Sequence, residues 1–160
     1  MIYFDSSALI SLFIKRKYSH DISEFIRKQN EPIHIWSFGL VEYHSALKQL
    51  LKMGEITECQ RQTAIIRLEV EINLGRIYIE RNLDVNSIHE LAILLIDKPA
   101  YKERALDTIH VASAMKLKSS CFVSSDYNQQ ELARREKLIV APNLEKLESQ
   151  ESTEPSLKGV

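Results

Sequence analysis

The sequence opens with "MIYFDSSALI" (residues 1–10), in which a short apolar run leads directly into an acid and two hydroxyl side chains. The run Ile2–Phe4 has the composition of a buried β-strand. Asp5 comes where that strand ends, and Ser6 or Ser7 is available to cap the helix that follows. Because a core position would favour another apolar residue, Asp5 indicates that the carboxyl end of this strand carries a function.

Length and composition favour one globular domain. The chain has 160 residues, of which 44% are apolar and 27% are charged, as in ordinary globular proteins. No apolar stretch approaches the roughly 20 residues of a membrane span, and no charged leader precedes an apolar segment. We therefore expect a cytoplasmic protein that makes no membrane contact. Cys59 and Cys121 form no CxxC pair, which suits a reducing compartment and argues against a zinc site.

Charge is distributed unevenly along the chain. Residues 143–160 carry four glutamates and two lysines, a net charge of −2, so residues 1–142 are left with +1 of the total of −1. A general nucleic-acid-binding domain usually has a pI above about 9, so any nucleic-acid site here must be local. We expect a globular domain over residues 1–142, followed by an acidic, disordered tail over residues 143–160.

Short apolar runs alternate with helical patterns. The five candidate strands are Ile2–Phe4, 34–36, 77–79, Cys121–Val123 and 138–140. Apolar residues between them recur with helical spacing, including one long helix over residues 55–74, and Gly54 and Gly75 fall where helices end. This alternation predicts an α/β fold with a parallel sheet covered on both faces. We expect Ile2–Phe4 to be central, between 34–36 and Cys121–Val123.

Three more acids lie near strand ends, where parallel sheets bind ligands. Glu42 lies in the early turns of the helix that follows residues 34–36. Asp126 follows Cys121–Val123, and Asp107 opens the preceding helix, whose small residues allow close approach to the sheet. The four acids expected to meet at one sheet edge are Asp5, Glu42, Asp107 and Asp126.

Crowded carboxylates repel one another and attract cations. Oxygen ligands without a cysteine or histidine cluster favour Mg²⁺, with Mn²⁺ as a substitute. Such a site is suited to metal-assisted phosphodiester cleavage, in which water is the nucleophile. Because aspartate is also a common helix cap, a purely capping role stays open for Asp5, Asp107 and Asp126. A helix-dipole role stays open for Glu42.

Four motifs occur in a familiar order and spacing: "DSSALI" (5–10), "SFGLVEYHSAL" (37–47), "RALDTIHVASA" (104–114) and "FVSSD" (122–126). From Met1 to about Pro142 the chain resembles the PIN domain, specifically the VapC-type ribonuclease toxins of prokaryotic toxin–antitoxin pairs. Thr108 stands where the family commonly has alanine, and Ser124 where it commonly has threonine. Neither difference removes an acid.

The resemblance implies a three-layer α/β/α sandwich and a Mg²⁺-dependent endoribonuclease. It further implies that the metal is coordinated, and RNA cleaved, by Asp5, Glu42, Asp107 and Asp126. The implied partners are an RNA substrate, a second copy of the chain in a homodimer, and an inhibiting antitoxin protein. Two alternatives are a housekeeping PIN nuclease of RNA processing and a non-catalytic PIN-fold binding protein, and the intact acid set argues against the second.

Four further side chains are candidates for supporting roles. Ser7 and Ser124 either donate to a ligand carboxylate or serve as ordinary cap and turn residues. Arg104 lies one turn before Asp107, where its guanidinium would meet a phosphate or pair with an acid. For His110, three residues after Asp107, we favour a structural hydrogen bond over a catalytic role.

Overall fold

The computed structural model describes residues 1–98 and 104–144 and contains one parallel sheet. The strands are β1 (Ile2–Phe4), β2 (Ile33–Trp36), β3 (Ile77–Glu80), β4 (Cys121–Val123) and β5 (Val140–Ala141). Their order is β3-β2-β1-β4-β5, and all four pairings are parallel. The predicted α/β fold is confirmed, with β1 central between β2 and β4.

Helices cover both faces of the sheet. The described residues form α1 (Ser6–Phe13), α2 (Ser19–Arg27), α3 (Ser37–Lys52), α4 (Glu58–Asn73), α5 (Val85–Ile96), α6 (Ala105–Lys116) and α7 (Tyr127–Arg135). Alternate residues of β1 enter two different cores, as the two-residue period of a strand requires. Ile2 and Phe4 pack with α1 to α4, whereas Tyr3 packs with α5 to α7. This three-layer α/β/α arrangement is the predicted one.

The last strand differs from the prediction. It was expected at residues 138–140, but β5 spans Val140–Ala141 and pairs with β4 through Phe122 and Val140. The reason lies at the end of α7, where Lys137 adopts a left-handed conformation with φ 64°. The backbone N–H of Leu138 then donates to the carbonyl of Ala133, closing the helix. Leu138 therefore completes a helix end instead of beginning a strand.

Two helix starts also differ from the expected ones. The helix expected over residues 55–74 begins at Glu58, because Thr57 and Gln60 form a reciprocal capping box before it. At α1 the cap is Asp5 itself rather than Ser6 or Ser7. Gly54 and Gly75 have φ of 73° and 67°, the left-handed conformation that commonly follows a helix end.

The C-terminal segment of the sequence lies partly outside the described residues. Leu144, the last described residue, is fully buried, whereas the predicted acidic tail lies outside the described residues from position 145 onward. None of the helices within residues 1–98 and 104–144 combines the length and apolar character that crossing a membrane requires.

Candidate active site

Asp5 lies at the carboxyl end of β1 and is held by a dense set of donors. Its side chain is buried, although it caps α1 by accepting the backbone N–H of Ala8 at Oδ1 (2.7 Å). Ser7 Oγ lies 2.9 Å from both carboxylate oxygens, and Ser124 Oγ donates to Oδ2 at 2.7 Å. The carboxylate is therefore fixed from α1 and from the loop after β4 at once.

Burial and hydrogen bonding act on Asp5 in opposite directions. Burial raises the pKa of this carboxyl from 3.8 to about 6, whereas the charge of His110 and the donors at Ala8, Ser124 and Ser7 favour the ionised form. Near neutral pH the group carries a negative charge that the protein compensates only in part. A cation bound beside it would supply the missing compensation.

Glu42 is tied to a buried histidine. His110 on α6 is only 2% exposed, and its Nε2 contacts the Glu42 carboxylate on α3. Its Nδ1 lies 2.8 Å from the Tyr3 hydroxyl on β1, and burial raises the Tyr3 pKa so that the phenol stays protonated. Nε2–H therefore donates to the Glu42 carboxylate, and the Tyr3 hydroxyl is the hydrogen-bond partner of Nδ1.

Asp107 lies in the first turn of α6 and is half-buried. Burial raises the pKa of its carboxyl, and the negative charges of Asp126 and Glu42 raise it further. Arg104, the exposed N-cap residue of α6, and His110 lower the pKa of Asp107. Acids from α3, α6 and the start of α7 are therefore within electrostatic reach of one another.

Asp126 caps its own helix. Its Oδ1 accepts the backbone N–H groups of Asn128 (2.8 Å) and Gln129 (3.2 Å), and its own N–H donates to Ser124 Oγ (2.9 Å). The buried Gln129 side chain places Oε1 3.1 Å from Ser124 Oγ and Nε2 3.5 Å from the carbonyl of Asp107. One glutamine thereby connects the Asp5 and Asp107 regions.

The sequence-predicted site residues lie in three adjoining groups. These are Asp5 with Ser7 and Ser124, Glu42 with His110, and Asp107 with Asp126 and Arg104. Sequence reasoning missed Gln129 and Tyr3. Gln129 could have been found because it lies three residues after the capping acid Asp126, the spacing of a capping box. Tyr3 could have been found because a buried phenol needs a hydrogen-bond partner.

The donor chemistry fits Mg²⁺, although the carboxylates are not a closed ligand set. Among residues 1–98 and 104–144, no three histidine, cysteine or acidic side chains are placed to hold a metal ion together. Asp5 and Asp126 each cap a helix and Glu42 contacts His110, so three of the four acids already have protein partners. Mg²⁺ usually needs only one or two carboxylates, with waters and substrate phosphates completing its shell. Asp5 and Asp107, whose pKa values burial raises, fit that requirement.

Comparison with known proteins points to one family. A model of the PIN domain matches residues 2–135. Comparison of the sequence with curated proteins gives no match.

Solved structures with a similar fold include three from bacteria. The VapC20 toxin of Mycobacterium tuberculosis, described as cleaving the sarcin–ricin loop, has a TM-score of 0.60 and 13% identity over 82% of this chain and 94% of its own. VapBC2 from Rickettsia felis, bound to a promoter DNA fragment, has a TM-score of 0.58 and 17% identity. The match covers 88% of this chain and 97% of that one. A toxin–antitoxin complex from Klebsiella pneumoniae has a TM-score of 0.53 and 18% identity. The match covers 79% of this chain and 87% of the matched chain. At these identities the likeness is one of fold.

Proposed function

The chain belongs to the PIN domain family, and from that premise we propose that it is a metal-dependent endoribonuclease that hydrolyses RNA phosphodiester bonds. The observation that carries the proposal is Asp5, a buried carboxylate at the carboxyl end of the central strand with three donors around it. Burying an aspartate this deeply disfavours its charged form, which a helix cap alone does not require. RNA is the proposed substrate because VapC20, a similar structure, is described as a ribosomal-loop-cleaving toxin.

Asp5 and Asp107 would hold Mg²⁺ or Mn²⁺ directly, and Glu42 and Asp126 would act through bound water. The ion would supply Lewis-acid polarisation of the phosphate and a water of lowered pKa. The remaining work falls to the protein, which must keep the carboxylates in place and ionised. Ser7 and Ser124 do this for Asp5 by donating to its oxygens, and His110 positions Glu42 by contacting its carboxylate.

Arg104 would bind a phosphate of the RNA backbone. It is exposed, precedes Asp107 by one turn and lowers the pKa of that acid, so its charge acts at the site. A guanidinium matches two phosphate oxygens at once. Because the chain as a whole is not basic, the charge of Arg104 would contribute more to RNA binding than the net charge of the protein.

The proposed biological role is that of the toxin in a type II toxin–antitoxin pair, restrained by a cognate antitoxin protein. Its support is the fold shared with the Klebsiella pneumoniae toxin–antitoxin complex. A housekeeping nuclease of RNA processing is the alternative, and a non-catalytic binding protein is disfavoured because all four acids are present. Induced expression separates them, since a toxin arrests growth whereas a processing enzyme does not.

The activity is tested with purified protein and RNA. We expect cleavage in Mg²⁺ or Mn²⁺, none in chelator, and a loss of at least about 100-fold in Asp107→Asn. Asp84→Asn is the matched control, because Asp84 is an exposed acid that caps α5 and asparagine caps equally well. Cleavage that persists in chelator, or a folded wild-type protein that cleaves no RNA, would overturn the proposal.

A further inference from the structure

A cavity of about 270 Å³ lies beside Asp5, between α1, α3 and the loop that follows β4. We propose that this cavity binds one unpaired nucleobase of the RNA, adjacent to the phosphate that is cleaved. The inference rests on the proposed ribonuclease function and adds to it a site that selects sequence. Four properties of the cavity support it: position, size, charge and lining.

The cavity is continuous with the candidate metal ligand. Ser7 lines the cavity, and the same hydroxyl lies 2.9 Å from both oxygens of Asp5. Ser125, which also lines it, donates its backbone N–H to Ser7 Oγ at 3.0 Å. A phosphate bound through a metal ion at Asp5 would therefore have its neighbouring nucleotide close to the cavity.

The volume suits a single ring system. Pockets for drug-sized ligands usually span about 300–1,000 Å³, and this cavity is just below that range. A whole polymer segment or a folded peptide element would not fit. A base turned out of a single strand is a fragment of suitable size, and proteins usually read RNA sequence from such unstacked bases.

The charge of the lining favours a neutral group over a phosphate. Arg16 is the cation at the cavity, and its Nη1 is paired with Glu55 Oε2 at 2.6 Å. Since Glu55 also lines the cavity, the two charges cancel, and the other lining residues are uncharged. Phosphate sites instead present uncompensated positive charge or several converging N–H donors. The base, and not the backbone, is the part of the nucleotide that fits.

The lining offers both an apolar surface and hydrogen-bonding groups. Ile10, Leu50 and Met53 supply aliphatic contact for the face of a ring. The amide of Gln49, which is exposed on α3, provides a donor and an acceptor side by side. Glutamine amides read base edges in this way in other nucleic-acid complexes. We therefore assign Gln49 as the residue that distinguishes one base from another.

The test begins with uncharged ribonucleosides in chelator, so that it does not depend on metal or on cleavage. Adenosine, guanosine, cytidine and uridine are titrated separately into ¹⁵N-labelled protein. We expect at least one of them to shift the Gln49 side-chain amide and the backbone amides of Ser11 and Ser125 saturably. Gln49→Leu should weaken that nucleoside about tenfold. Gln62→Leu, a matched change at an exposed glutamine of α4, should leave the affinity unchanged.

Two results of the titration would overturn the inference. One is the absence of saturable shifts at Gln49, Ser11 and Ser125 with all four nucleosides. The other is a nucleoside 5′-monophosphate that binds about tenfold tighter than its nucleoside, since this would mean a phosphate site. Either result leaves metal-dependent cleavage, the proposed function, to be judged by its own assay.

Sequencing of cleaved RNA ends provides the second readout. We expect wild-type products to share a base preference at one position beside the cut, and Gln49→Leu to lose that preference while Gln62→Leu keeps it. An unchanged preference in Gln49→Leu would contradict the assignment of this cavity. If the wild type does not cleave RNA, the proposed function fails, and the nucleoside titration still decides whether the cavity takes a base.

Discussion

Three aspartates cap helices among the described residues, and the difference between Asp84 and Asp5 separates structure from function. Asp84 caps α5 by accepting the N–H of Ser87, and its side chain is exposed. Asp5 caps α1 in the same manner, yet it is 2% exposed and is surrounded by two additional hydroxyls. Capping explains the residue type at both positions. It does not explain why one of them is buried with its charge.

The buried charge predicts how stability depends on pH in metal-free protein. The pKa of Asp5 is about 6 in the folded state and 3.8 ordinarily, so the folded state binds the proton more tightly. The contribution of Asp5 to stability should be largest below pH 4, fall as pH rises through 6, and then level off, by about 3 kcal/mol in all. Asp5→Asn should lack this decline, and thermal melts in chelator between pH 4 and 8 will measure it.

Asp5→Asn should also lower the rate of RNA cleavage by orders of magnitude, because the metal loses one charged ligand. Above pH 6 the metal-free variant should melt no lower than wild type, since asparagine caps equally well and no charge is buried. Asp84→Asn serves as the control for both measurements. A folded Asp5→Asn protein with full activity would reduce Asp5 to a helix cap.

Tyr3→Phe tests the hydrogen-bond chain through His110. The change removes the hydroxyl that lies 2.8 Å from Nδ1 and leaves a buried nitrogen without its hydrogen-bond partner. We expect the free energy of unfolding in urea to fall by about 1–3 kcal/mol.

Tyr78→Phe is the matched control for this change. The Tyr78 side chain is 47% exposed and its ring stacks on His34, a contact that phenylalanine keeps. The free energy of unfolding of Tyr78→Phe should stay within about 0.5 kcal/mol of the wild-type value. Equal costs for the two variants would show that the Tyr3 hydroxyl contributes no more than an exposed phenol.

At the scale of elements, the sequence predicted strands that are buried on both faces better than it predicted an edge strand. β1 and β4 are central strands whose residues are all buried, so each appears in the sequence as an unbroken apolar run. β5 is a two-residue edge strand, and the apolar run before it, at Leu138, is used to close α7. Its position was misjudged because edge strands carry little pattern of their own.

The candidate site was predictable in composition but not in orientation. Its acids follow strand ends or open helices, which local sequence reveals. The partners that orient them come from far along the chain, since His110 is 68 residues from Glu42 and Ser124 is 119 residues from Asp5. No local periodicity encodes such contacts.

Two glycines should respond in opposite ways to the same substitution. Gly39 lies in α3, and a Cβ there would meet His110 Cε1 at 3.7 Å, an ordinary contact. Gly39→Ala should therefore stabilise the protein by about 0.5–1 kcal/mol through helix propensity. Gly54→Ala should destabilise it by about 1–2 kcal/mol, because φ is +73° although the space is open. Urea unfolding measures the change in the free energy of unfolding for each variant, and two changes of the same sign would contradict the prediction.

At the scale of the whole molecule, the C-terminal half of α5 leaves apolar surface uncovered. Ile93, Leu94 and Ile96 are 58%, 64% and 42% exposed. We expect a homodimer that covers this end of α5, since exposed apolar clusters commonly mark protein interfaces. Light scattering should give twice the chain mass at about 50 μM protein, corresponding to a Kd below 10⁻⁵ M.

Leu94→Glu should shift that mass to one chain, because it would bury a charge in the interface. Ile139→Glu, a similar change at a 70% exposed position before β5, should leave the mass unchanged. A wild-type protein that remains monomeric at this concentration would count against dimerisation.

The strand order also has a consequence for the timing of synthesis. The central strand β1 is synthesised before the other four described strands, whereas its neighbour β4 follows β2 and β3. Asp5 and the Ser124 hydroxyl that holds it are 119 residues apart, and translation at about 5–20 residues per second separates their emergence by about 6–24 s. Asp107 is absent for most of that interval and Asp126 for all of it. The proposed ribonuclease centre therefore cannot form on a nascent chain until β4 and the start of α7 have been synthesised, so shorter nascent chains should be inactive.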